Sequence, residues 1–96
     1  MFMVVSKWRP KPGREEEFST SSREARKEIK AIPGVVMLES FWNDDGGLAV
    51  MGYEDEAAYQ RIVHAEGGPF EQVAKRHRLE EFGEWIWSER GECVVD

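Results

Sequence analysis

Apolar and polar positions change period several times along the chain, and each change marks an element. In "FMVVSKWR", residues 2–9, Phe2, Val4, Ser6 and Trp8 alternate with Met3, Val5, Lys7 and Arg9, the two-residue period of a strand. "PKPG" ends it, because Pro10 and Pro12 have no N–H to give to a ladder and Gly13 frees the turn. Across 14–31 the period lengthens to that of a helix. Phe18, Ala25, Ile29 and Ile32 share one stripe, with Ser21 and Ser22 in its gap. Glu15, Glu16 and Glu17 crowd the first turns and Arg23, Arg26, Lys27 and Lys30 the last, which complements the helix dipole. "IPG" at 32–34 stops this helix, since the residue before a proline avoids the helical region.

Residues 35–43 and 47–54 alternate again around "NDDGG", whose residue types tolerate positive φ, so they predict a hairpin. Strict alternation sets Val36, Leu38, Ser40 and Trp42 on one face and Val35, Met37, Glu39 and Phe41 on the other. Asp55 is a candidate N-cap for a second helix that turns Ala58, Tyr59 and Ile62 inward. "GGP" at 67–69 interrupts it. Pro69 opens a short third helix, with Phe70, Val73, Ala74 and His77 on one face. "RLEEFGE" leads into a last strand around 83–90, in which alternation places Trp85 and Trp87 together, opposite Ile86. The order strand, helix, strand, strand, helix, strand is two βαβ halves. With right-handed crossovers it predicts an α+β, ferredoxin-like βαββαβ fold: a four-stranded antiparallel sheet with helices on one face, forming a single domain over residues 1–96.

That fold leaves a difficulty, because the strands carry large apolar groups on both faces and helices cover only one. A second copy packed sheet to sheet about a two-fold axis is the simplest cover, so a homodimer through the sheet faces is expected. Composition narrows the remaining classes. The chain has 96 residues, 41% hydrophobic and 33% charged, as expected of a soluble globular protein. Its net charge of −6 argues against a nucleic-acid partner. No apolar run approaches the roughly 20 residues of a membrane span, and no basic segment precedes the N-terminal apolar run as in a secretory signal. Cys93 is the only cysteine, which excludes an intrachain disulfide and fits a cytoplasmic location.

The segments "FMVVSKWRPKPG", "IPGVV", "GYEDEAAYQ" and "GGPFEQV" together resemble the antibiotic biosynthesis monooxygenase-like family of dimeric α/β barrels, over nearly the whole chain. The resemblance implies a pocket between the sheet and the second and third helices. It also implies a function: oxidation of a small aromatic or quinol-type molecule by dioxygen, without metal or flavin. That chemistry needs aromatic walls and one or two acid/base groups. Haem-degrading members of the same group use an Asn in the first strand, where this chain has Ser6. They use a Trp in the second helix, matched here by Ile62, and a ligating His matched by Ala74, with His77 one turn later. No cofactor is therefore expected, with haem the alternative, and non-catalytic ligand binding is a further one.

The candidate catalytic groups are His64, His77, Tyr59 and Ser6, and the candidate pocket aromatics are Trp8, Trp42, Tyr53 and Phe70. Each has a plain structural reading beside the functional one. His64 ends a helix and suits its dipole, His77 lies on an apolar face, and aromatics at regular spacing are commonly core. Two histidines thirteen apart, with no third ligand in register, give no metal site.

Overall fold

A computed structural model describes residues 1–95. The elements are β1 (Phe2–Pro10), α1 (Glu15–Lys30), β2 (Val35–Asn43), β3 (Gly46–Tyr53), α2 (Glu56–Tyr59), α3 (Pro69–Arg76), α4 (Leu79–Phe82) and β4 (Gly83–Glu92). The strands form one sheet in the order β2-β3-β1-β4, every neighbour antiparallel. This is the ferredoxin-like βαββαβ arrangement. Asp55 caps α2 as expected, its Oδ1 accepting from the Ala58 N–H at 2.8 Å. Beyond Tyr59 the helix widens into a π-type turn over Gln60–His64 before ending. "LEEF" within the lead-in to β4 forms the short α4, entered through Arg78 in the left-handed region at φ 56°. No described helix is long and apolar enough to cross a membrane.

Strand register sorts the side chains into rows, because residues directly opposite each other project to the same side. Facing the helices, one row runs Trp42, Gly47, Trp8, Trp85, and the next runs Ser40, Ala49, Ser6, Ser88. A third row runs Leu38, Met51, Val4, Arg90 and a fourth Val35, Tyr53, Phe2, Glu92. Phe2, Val4, Leu38, Met51 and Tyr53 meet Phe18, Ala25 and Ile29 of α1 in the core. The outer face reads Phe41, Leu48, Lys7, Trp87, then Glu39, Val50, Val5, Glu89.

Two side-chain placements differ from strict alternation, and both have the same cause. Trp85 pairs with Trp8 and Trp87 with Lys7, so Ile86 is an extra, unpaired residue and the two tryptophans fall on opposite faces. Neither is core: they are 56% and 41% exposed, since β4 is an edge strand. Likewise Val36 is an extra residue between Val35 and Met37, which turns Val35 inward and leaves Val36 exposed. A one-residue insertion inverts the face of everything beyond it.

Candidate ligand cavity

The helix-facing rows build the candidate site from small and large residues set side by side. Gly47 and Ala49 on β3 carry almost no side chain, and Ser22 and Ala25 on α1 little more. Between them a half-open cavity of about 90 Å³ remains beneath α1. The tryptophan row supplies its wall. Phe18 of α1 stacks on Trp8 at 6.0 Å between ring centroids and meets Trp42 edge-on at 5.6 Å. Trp42 lies across Gly47, where a Cβ would stand 3.1 Å from its ring. Phe70 at the start of α3 and Leu79 of α4 close the far side.

The polar residues that line this apolar space are few: Ser6, Ser22, Ser40 and Arg26. Ser6 sits at the end of a hydrogen-bonded chain. The Trp85 indole N–H donates to the Ser88 Oγ at 2.8 Å, and the Ser88 and Ser6 hydroxyls share a bond of 2.8 Å. When Ser88 donates to Ser6, the Ser6 proton is free to point into the cavity. Ser22 donates back to the Ser19 carbonyl at 3.2 Å, as hydroxyls within helices do. Arg26 is partly buried, and desolvation pushes its pKa below the usual arginine value, with Arg23 adding to the effect. It remains a cation at any working pH. Among the described residues no carboxylate, imidazole or tyrosine hydroxyl lines the cavity.

Four of the sequence-derived site residues, Ser6, Trp8, Trp42 and Phe70, therefore meet in one place. The others lie elsewhere. Tyr53 and Tyr59 are core residues packed edge to face at 5.4 Å, at the end of β1 where Phe2 sits. Burial raises the Tyr53 pKa and holds its hydroxyl protonated, and the Tyr59 hydroxyl bonds His64 Nε2 at 2.7 Å. His77, at the end of α3, bonds Glu28 of α1, while its carbonyl accepts from the Ser21 hydroxyl at 2.6 Å. The resemblance implied a pocket between the sheet and the second and third helices; the cavity lies under α1 and is lined by Phe70 of α3 but by no residue of α2, because the small residues are on α1 and β3. Arg26, Ser22 and Ser40 escaped the sequence reading. Arg26 sits one position beyond Ala25 on the buried stripe of α1, and that adjacency was the available signal.

The donor set does not fit haem. No histidine, cysteine or tyrosine side chain borders the cavity to serve as the usual axial ligand. Among the described residues no cluster of His, Cys, Asp and Glu could hold a metal ion.

No family profile and no curated protein sequence matches the chain. Solved structures do. HapK from Hahella chejuensis superposes with a TM-score of 0.80 at 14% identity, covering 100% of this chain and 95% of HapK. An antibiotic biosynthesis monooxygenase superposes with a TM-score of 0.74 at 15% identity, covering 99% of this chain and 100% of its own. SnoaB, a cofactor-independent oxygenase from Streptomyces nogalater, superposes with a TM-score of 0.75 at 14% identity, covering 99% of this chain and 94% of SnoaB. The fold is that of the antibiotic biosynthesis monooxygenases. It covers the whole described chain, as the resemblance in the turn and strand segments implied. At these identities the likeness is one of fold, so the chemistry of this chain has to be argued from the cavity.

Proposed function

We propose that the chain is a cofactor-independent, monooxygenase-like protein acting on a small aromatic or quinol-type molecule in the cavity beneath α1. The observation that carries this reading is the wall of Trp8, Phe18 and Trp42 set against Ser6 in a largely apolar space. The fold neighbour SnoaB, a cofactor-independent oxygenase, supports it. An engineered cavity of about 150 Å³ takes one benzene ring. The half-open space of about 90 Å³ therefore admits only part of a ring system, and the remainder extends out through its open side.

A phenol bound there loses its proton to water at the open side, because no base borders the cavity. Ser6 then donates a hydrogen bond to the phenolate oxygen, and the aromatic walls orient the ring. The electron-rich anion reduces dioxygen directly. One oxygen atom enters at the ring carbon para to the phenolate oxygen, where the C–H bond breaks so that both positions become the carbonyls of a quinone. The other oxygen atom leaves as water with the two hydrogens lost, so the substrate supplies all four electrons. The Tyr59–His64 and His77–Glu28 pairs act away from this chemistry, holding α2 and α3 in place.

Oxygen uptake above the buffer rate, measured with polycyclic phenols whose para position is free, such as 1-naphthol, tests the reading. Ser6→Ala should lower kcat/KM by about tenfold to a hundredfold, the worth of one hydrogen bond to a charged group, while His77→Asn should leave it near wild type. Protein-independent uptake with every candidate would end the oxygenase reading. The absence of a base favours one second reading, binding without turnover, which predicts ligand-dependent thermal stabilisation and no oxygen consumption. Either function is exercised by a dimer in our reading, because Phe41 and Trp87 remain 52% and 41% exposed on the outer sheet face.

A further inference from the structure

Two arginines are half-buried, Arg14 and Arg26, and Arg14 meets Glu17. Arg9, Arg76 and Arg78 also meet acids, whereas Arg23, Arg61 and Arg90 are left to solvent. Among the described residues Arg26 meets no acid: its polar contact is a long bond of 3.5 Å from Nη1 to the Ser22 hydroxyl, and Arg23 nearby repels it. It is half-buried on the rim of a cavity that no carboxylate of the described residues lines. A desolvated cation without a counter-ion is costly unless a ligand supplies one. The guanidinium fork matches the two oxygens of a carboxylate. The protein as a whole carries −6, so a local preference for anions here opposes the average field and comes from this one side chain.

We infer that the cavity selects aromatic molecules bearing an anionic substituent, a ring carboxylate above all, with the rings against Trp8, Phe18 and Trp42 and the anion at Arg26. Arg26 is thus a specificity-determining residue. This inference rests on the cavity being the ligand site, as in the proposed function, and extends it to substrate class. Ser22 completes the anion site, since its hydroxyl proton can turn from the Ser19 carbonyl to the ligand.

Isothermal titration with a matched pair of probes, 2-naphthoate and neutral 2-naphthalenemethanol, separates the two claims. Wild type should bind the naphthoate at least about tenfold more tightly, as expected for a charge-assisted hydrogen bond. Arg26→Met, which keeps length and apolar stem, should bind both probes alike, and Arg26→Lys should retain part of the preference. Equal affinity for both probes in wild type, or a preference that survives in Arg26→Met, overturns the anion site and leaves the cavity reading standing. Binding of neither probe overturns the cavity reading and the anion site with it. Should Arg26→Met fail to fold by circular dichroism, the wild-type pair and Arg26→Lys decide the question.

Discussion

Gly83 shows how one residue governs the cavity from outside it. Its backbone is extended, at φ −132° and ψ 166°, so the position imposes no conformational demand for glycine. The demand is steric: a Cβ there would stand 2.1 Å from Cε1 of Phe18. Phe18 is 3% exposed and forms the cavity wall between Trp8 and Trp42, so it can yield only toward the cavity. Gly83→Ala should cost roughly 1–3 kcal/mol, the range of an overpacked core, and should also weaken naphthoate binding. Thermal melts with parallel titrations check both, and unchanged stability would show that Phe18 has room elsewhere. Lys7 poses the opposite case, a charge held inside an apolar row. Its side chain is 8% exposed, between Leu48 and Trp87, and its ammonium meets Asp45 at 3.3 Å. Lys7, then Arg9, holds the Asp45 carboxyl below the usual aspartate range. Asp45→Asn should lower the melting temperature by leaving the buried ammonium without its counter-ion, and adding Lys7→Met should restore it, because a buried apolar side chain needs no partner. A double variant less stable than the single one would contradict that account.

At the scale of elements, α1 is tied to α3 by a carboxylate. Glu28 accepts from His77 Nε2 and from Arg76 Nε at 3.1 Å, and these bonds, His77 first, draw its pKa below the ordinary glutamate value. The unfolded chain then binds the proton more readily, so stability rises with pH in this range. The contribution is present in full above about pH 4.3, the unfolded glutamate value, and is lost as pH falls through the depressed folded value. Glu28→Gln should therefore be less stable than wild type at neutral pH, with a shallower decline under acid. Urea unfolding at neutral pH and well below pH 4 measures this, and parallel declines would mean that the tie contributes nothing. The elements themselves were legible because each period is a local property. Asp55 and Pro69 mark helix starts by what their own atoms can and cannot bond. The bulges at Ile86 and Val36 were not legible, because an extra residue in one strand is defined only against its partner.

At the scale of the whole molecule, the outer sheet face carries Leu48, Val50 and Val5 between the larger Phe41 and Trp87, with Glu39 and Glu89 at its edges. A second copy is the cover that an isologous interface supplies. Light scattering should report a dimer, and Val50→Glu, which adds a carboxylate to the row that already holds Glu39 and Glu89, should report a monomer of unchanged circular dichroism. A monomeric wild type would leave the face uncovered and overturn the dimer. The sequence by itself determined the order of elements, their ends and the ferredoxin-like sheet, because hydrophobic period, proline and capping chemistry act over a few residues. It also brought Ser6, Trp8, Trp42 and Phe70 forward as candidates. Only the tertiary structure decided that these four meet, that Tyr53, Tyr59, His64 and His77 stand apart, and that Arg26 lines the cavity without an acidic partner among the described residues. A cavity is the space that distant small residues leave between them, here Gly47, Ala49, Ser22 and Ala25, and no local pattern records it.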